Sequence, residues 1–282
     1  FCGNSGKIRI TDFSLLFMKY QGNYFMKKTL IALAVAASAA VSGSAMAWTA
    51  SGTGGDVNFG GTLTPSSKVT PWETRAGAGV MGLDAEVTQG QRSVQITTPR
   101  AVEILSIRTK DAKAFQGGVN PGINPQIDFH GAAGDFNAGK STLSMEARNT
   151  EGVKIGSVTV AMSAGAMGST SKGAKNDIYA PDAGYGFFGG VGKTSAQTLN
   201  NAHNFATSQG FNDVVANFDT QGVVGLTSDG TYNFNETSRK YSAFYIAAVA
   251  SGEKFTVTLD NPVSGDGQIQ WKASLPVTVS YQ

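Results

Sequence analysis

The feature that most restricts this chain is a series of short runs in which apolar and polar residues alternate, each closed by Gly, Asn, Asp or Ser. Successive side chains of a β-strand point to opposite faces, so such a run makes a strand buried on one side. Residues 94–97, 102–107, 126–129 and 143–147 have this pattern, and so do 155–160 after the turn-like Asn149-Thr150-Glu151-Gly152. Three more lie near the end, at 241–249, 255–259 and 275–281, and Ser251-Gly252 predicts that the first two pair as a hairpin. With 36 glycines and only 15% charged residues, turns and half-buried strands outnumber solvated helices. The prediction is an all-β sandwich or barrel. No heptad, solenoid repeat or low-complexity linker competes with it.

Between about 164 and 233 the alternation loosens. Residues 194–204 read as a short helix, and 211–218 as a second, with Phe211, Val214, Val215 and Phe218 spaced for one face. This stretch is expected to be an insertion in the sandwich, and long insertions in compact domains tend to carry function.

Residues 26–47 have the parts of an export signal. Lys27 and Lys28 precede an apolar run at 30–41, and Ala45-Met46-Ala47 supplies small residues before the cut. The run is shorter than the roughly 20 residues that span a bilayer. An exported mature chain starting at Trp48 follows, and the short run suggests a bacterial precursor. Residues 1–25 are read as upstream sequence translated in frame, with Met26 as the start and Met18 as the other reading. Five of the 22 basic residues and one of the 20 acidic ones precede Trp48, which leaves 17 against 19 and a net charge of −2. A chain without basic excess is a poor partner for nucleic acid or anionic lipid. Cys2, the only cysteine, is removed as well, so neither a disulfide nor thiol chemistry is available.

Catalytic and cofactor patterns are weak. Gly190-Val191-Gly192-Lys193-Thr194 resembles the end of a phosphate loop, yet Phe187 stands where that motif needs its first glycine. His130 and His203 are far apart, with no carboxylate or cysteine cluster to complete a metal site. No serine sits in Gly-x-Ser-x-Gly. Asp128 and Asp135 are close, but a glycosidase pair wants an enclosed cleft. Asn235-Glu236-Thr237 fits a eukaryotic sequon and means little behind a bacterial export signal. The chain is expected to be no enzyme and to need no cofactor.

The two ends of the mature chain carry more information. Residues 48–56 are rich in Gly, Ser and Thr, and then Val57, Phe59 and Leu63 fall on one face of an alternating segment. The C-terminus alternates as clearly, with Leu275, Val277, Val279 and Tyr281 on one face and Pro276 fitting an edge or a strand start. Such an arm either folds back as a strand of its own domain or is lent to the sheet of a neighbour. From Met26 onward the chain resembles the FaeG-like major subunits and adhesins of enterobacterial chaperone–usher fimbriae. The resemblance is carried by the leader at 26–47, by Trp48 with 56–63, by 149–160, and by 270–281. It implies an immunoglobulin-like sandwich lacking one strand, with 48–64 as donor arm and 65–282 as the incomplete domain. A periplasmic chaperone would cover the gap beside the final strand (Leu275, Val277, Val279, Tyr281). An outer-membrane usher would then exchange it for the arm of a neighbouring copy, with Val57, Phe59 and Leu63 as donor residues. Tyr281 matches the penultimate aromatic common in pilins, while Ile269 stands at the usual upstream glycine.

The resemblance also implies sugar contacts at 177–190, where Tyr179, Tyr185, Phe187 and Phe188 lie among glycines and carboxylates. Flat rings with nearby acceptors suit the apolar faces and hydroxyl rims of host glycoprotein or glycolipid sugars. Tyr179, Asp182 and Tyr185 are the candidates. Gly184 replaces a contacting arginine of the family, and Phe187 and Phe188 read as packing residues. The expected function is a fimbrial subunit at the cell surface that also binds glycans. A purely structural pilin and an exported monomeric lectin are the alternatives.

Overall fold

One long strand organises the molecule. The computed structural model describes residues 69–119 and 122–282, so the leader and the arm with Val57, Phe59 and Leu63 lie outside the described residues. In chain order the strands are β1 (Trp72–Ala76), β2 (Ser93–Thr97), β3 (Val102–Thr109), β4 (Phe115–Gln116), β5 (Pro125–Asp128) and β6 (Lys140–Arg148). They continue with β7 (Lys154–Thr170), β8 (Ala174–Asp177), β9 (Lys240–Val249), β10 (Lys254–Leu259) and β11 (Thr278–Tyr281). The fold is all-β and sandwich-like, and every strand-to-strand ladder is antiparallel.

β7 is paired on both edges. Ser163 faces Lys140 of β6 and Ala248 of β9, Thr159 faces Ser144 of β6 and Thr256 of β10, and Thr170 faces Ala174 of β8 and Tyr241 of β9. The strand runs on past 164 to Thr170, although its alternation has faded there. The reason is burial of both faces, which removes the need for a polar side. Small residues let those faces close. A Cβ on Gly165 would come within 2.9 Å of Leu199, and one on Gly168 within 2.7 Å of the Tyr232 ring.

The hairpin predicted for 241–249 and 255–259 does not form. β9 lies between β3 and β7, while β10 lies between β7 and β2, and both take the β7 edge opposite β6. The turn at Ser251-Gly252 therefore shifts the chain along one edge of β7 instead of reversing it. Every β9 residue after Lys240 is buried, so the strand needs a neighbour on each edge and a layer on each face. Its two faces feed separate cores. Tyr241, Ala243, Tyr245, Ala247 and Val249 enter the main core, whereas Phe244, Ile246 and Ala248 enter a second one.

The main core joins the large sheet to the two-stranded β5–β11 sheet, with Trp72, Phe187, Phe234 and Tyr241 packed ring against ring. The second core lies under the helical part of the 178–239 connection. Residues 194–204 are not one helix. A 3₁₀ turn (Ser195–Gln197) is followed by α1 (Ala202–Ser208), because Asn201 sits at φ 56° and caps the helix with its side chain. Asp177 also holds that start, accepting from Asn201 N at 2.6 Å and Ala202 N at 2.9 Å. α2 is the single turn Asn212–Val215, and Phe211, Val214, Val215 and Phe218 share the second core, as their spacing predicts.

Burial pushes the Asp177 carboxyl up, and the two N–H donors pull it back. A carboxyl raised on folding stabilises the native state below its unfolded value, and that contribution fades as pH rises through the folded value. Replacing Asp177 with alanine leaves two buried amides without their acceptor, an expected cost of about 1–3 kcal/mol. A thermal melt that matches wild type would show that this carboxylate does not hold the helix start.

Candidate functional site

β1 pairs with β3 as far as Ala76, and Gly77 N still reaches Ile104 O at 2.9 Å. Gly77 admits no side chain, since a Cβ there would lie 1.8 Å from Glu103 O. The chain then leaves the sheet and does not rejoin it until β2. Opposite, residues 266–277 approach β11. Between these two segments runs a groove of about 1020 Å³. Its floor is apolar, with Leu143, Met145, Val158, Val160, Phe255 and Val257 from β6, β7 and β10. Its walls include Val80, Leu83, Trp271 and Leu275.

The C-terminal segment keeps the alternation of its sequence. Trp271, Ala273, Leu275, Val277, Val279 and Tyr281 are half-buried against the main core, and the residues between them are exposed. Only its end is a strand in the described residues. Thr278–Tyr281 pairs with β5, and Lys272 exchanges backbone bonds with Arg148. Among the described residues, the backbone of 273–277 has no hydrogen-bond partner, and neither has that of 78–87. Leu275 and Val277 thus line the groove without a ladder, while Val279 and Tyr281 lie in β11. The Tyr281 hydroxyl meets Thr74 Oγ1 at 3.2 Å, which ties β11 to β1. Among the described residues, two facing stretches of unpaired backbone thus flank an apolar floor.

A search of family models matches residues 26–282 to the family described as "Fimbrial, major and minor subunit". The chain belongs to this family. Among the curated relatives, K88 fimbrial protein AB of Escherichia coli is 33% identical over 91% of this chain and all of its own length, and K88 fimbrial protein AC is 32% identical over the same shares. The F41 fimbrial protein of Escherichia coli is 28% identical, again over 91% of this chain and its full length. These relatives are fimbrial proteins and not enzymes. As a fimbrial subunit the chain assembles with other subunits in a surface fimbria.

The sugar candidates of this fimbrial subunit sit on two anchors. Tyr179 is half-buried, and its N–H donates to Gly230 O at 3.1 Å. Asp182 is exposed, and its carbonyl accepts from Tyr185 N at 3.3 Å, so one turn holds both residues. Tyr185 is half-buried against the main core. Gln126 of β5 secures the turn, its amide donating to Tyr185 O at 2.9 Å and accepting from Gly184 N at 3.0 Å. The alternating pattern around 126 marks a strand, but nothing in it marks Gln126 as a loop anchor. Phe187 is fully buried and stacked on Tyr245 at 5.7 Å. The Gly190–Thr194 stretch packs tightly: a Cβ on Gly190 would lie 2.3 Å from Ile127, and one on Gly192 2.4 Å from Gln197.

Among the described residues, the buried hydroxyls of Tyr241 and Tyr245 have no hydrogen-bond partner. Burial drives the Tyr245 phenol far up and the Tyr241 phenol up to about 12. Removing an unsatisfied hydroxyl while keeping the ring avoids a desolvation cost. Tyr245→Phe is therefore expected to hold or raise the unfolding free energy by up to about 1 kcal/mol. A clear loss in a denaturant titration would reveal an unseen partner for that hydroxyl.

On the outer face, Arg75 of β1 binds Glu103 of β3 at 2.8 Å and also Asp213 of α2. The Arg75 guanidinium holds the Asp213 carboxyl below the usual range. The contact is present at neutral pH and is lost as pH falls through the folded value. Both side chains are half exposed, so its worth is at most about 1 kcal/mol.

Proposed function

We propose that this fimbrial subunit polymerises by donor-strand exchange and presents a glycan site on every copy. The groove between 76–87 and 266–277 supports the first part. Its apolar floor and unpaired walls call for an amphipathic β-segment, and Val57, Phe59 and Leu63 supply one face of such a segment. A periplasmic chaperone would cover the groove during export, and the usher would catalyse its replacement by the arm of a neighbouring copy. The arm cannot serve equally well as a strand of its own domain and as a link between subunits, so fibre formation decides between the two.

The turn at Asp182–Tyr185, with Tyr179 nearby in sequence, supports the second part. Rings and an exposed carboxylate on a braced loop suit a shallow sugar site. Weak single sites gain from repetition along a fibre. Purified fimbriae on a glycan array are expected to bind host-type glycans, and Tyr179→Ala fimbriae to bind at least ten-fold less. Equal binding by both would take Tyr179 out of the site, and no binding by either would favour the purely structural pilin.

A further inference from the structure

Resting on the donor-strand reading, we propose that the two ends of the domain form a complementary pair. The end where β1 begins docks onto the end of a second copy of this chain where the large groove opens. Each joint of the fibre then has a face-to-face contact besides the shared strand.

The long strand β7 defines the two ends. At the first, Thr170 faces Tyr241, and the 171–173 turn and Lys240 lie just beyond. β1 begins there too, since Lys110 N donates to Pro71 O at 2.8 Å. This is the arm end, because the chain passes from the arm into the described domain at Val69. At the second, the groove end, Lys154 faces Arg148, Asp260 N donates to Ile155 O at 2.9 Å, and residues 266–270 border the groove.

Exposed large apolar side chains of the described residues cluster at these ends. Val119, Val224 and Leu226 belong to the arm end, and Met81, Val87, Val153 and Ile269 to the groove end. Val224 is 92% exposed and Met81 87%. The valine is held outward by its backbone: Val224 O accepts from Lys175 Nζ at 2.9 Å, and Thr227 N donates to Lys175 O at 2.8 Å. Grouped apolar side chains kept in water mark a contact surface.

Charge tells the ends apart. At the arm end Glu236 pairs with Arg239, and the Asp219 carboxylate accepts from the N–H groups of Ala114 and Gln221. Lys110, Lys113, Lys172 and Lys240 remain, opposed by Asp111. At the groove end Glu146 takes up both Arg148 and Lys154. Asp84, Glu86, Asp260 and Asp266 remain, opposed by Arg92 and Lys272. Among the described residues none of these remaining groups is in an ion pair. One end is therefore basic, the other acidic, and both carry apolar side chains.

The arm decides which ends meet. Residues 64–68 separate Leu63 from Val69. An extended chain spans at most about 3.3–3.6 Å per residue, so this tether reaches roughly 20 Å. An arm seated antiparallel to 273–277, the sense of every ladder in the molecule, would place Leu63 near residues 266–270 of the acceptor. The short tether then brings the donor's arm end against the acceptor's groove end, lysines towards carboxylates and Val224 towards Met81 and Ile269. Complementary charge of this kind steers encounter and fixes orientation, and salt screens it over roughly 8 Å under physiological conditions.

Elongation of fibres from chaperone-held mature subunits tests the contact. Lys172→Glu with Lys240→Glu reverses the arm end, and Asp260→Lys with Asp266→Lys reverses the groove end; all four positions are exposed. Each pair is expected to slow elongation at least ten-fold at low salt and much less at high salt. The chain carrying all four substitutions is expected to recover the wild-type rate. Uptake of a labelled peptide of residues 56–63, which carries no domain, should be unchanged in every variant. Wild-type elongation by both pairs would overturn the docking contact and leave strand exchange standing. So would a loss that neither salt nor the quadruple variant relieves. Slow elongation together with lost peptide uptake would put the effect in the groove and overturn the contact as well. Failure of the wild-type chain to take up the peptide would instead count against strand exchange itself.

Discussion

Deleting residues 48–63 should give a subunit that still binds its chaperone and forms no fibre. The described domain keeps its large sheet, its two cores and its C-terminal strand without those residues. What is lost is the segment that would occupy the neighbouring groove. Burial of Val57, Phe59 and Leu63 is worth about 1.5–3 kcal/mol each. Ladder hydrogen bonds to the backbone of 273–277, unpaired among the described residues, would add roughly 0.5–1.5 kcal/mol each. No disulfide is available to replace that joint, because the single cysteine lies at position 2. Phe59→Asp should come close to the deletion, since under donor-strand exchange it would drive a carboxylate into a groove floored by Leu143, Val158 and Phe255. Electron microscopy of cells expressing each form reads the outcome directly. Fibres of normal length from the deletion would reject the role given to the arm.

The second large effect is a gain. Moving residues 48–63 from the N-terminus to a flexible linker after Gln282 should produce a monomer that is more stable than the arm-deleted chain and does not polymerise. The linker makes insertion intramolecular, so the arm acts at a high effective concentration. The gross burial of its three apolar side chains is about 5–9 kcal/mol, reduced by the entropy of ordering the arm. A net gain of about 3 kcal/mol would raise Tm by roughly 6–12 °C in a domain of this size. Calorimetry of the two forms measures the difference. Equal melting temperatures would mean that the groove does not accept this segment.

The period-two runs at 94–97, 102–107, 126–129 and 143–147 were enough to define the fold class, to place β2, β3, β5 and β6 to within a few residues, and to give the apolar faces that meet in the main core. They work because a half-buried strand must alternate. They also found the strand at 241–249, although both of its faces are buried and enter two different cores. What they did not carry is its pairing: the turn at Ser251-Gly252 predicts a hairpin with 255–259, whereas β9 pairs with β3 and β7. In β7, Gly165 and Gly168 hide a continuing strand behind small residues that only the packing of Leu199 and Tyr232 requires.

The sites divide in the same way. The alternation of 271–281 and of 57–63 is written in the chain, because each must offer one apolar face. That the first borders a groove with unpaired walls is a matter of tertiary structure, since it depends on where the chain leaves β1 after Gly77. The bracing of the turn at 182–185 had no sequence signature at all. Gln126 pins that remote turn to β5 through Gly184 and Tyr185, and such long-range bonds leave no local pattern to read.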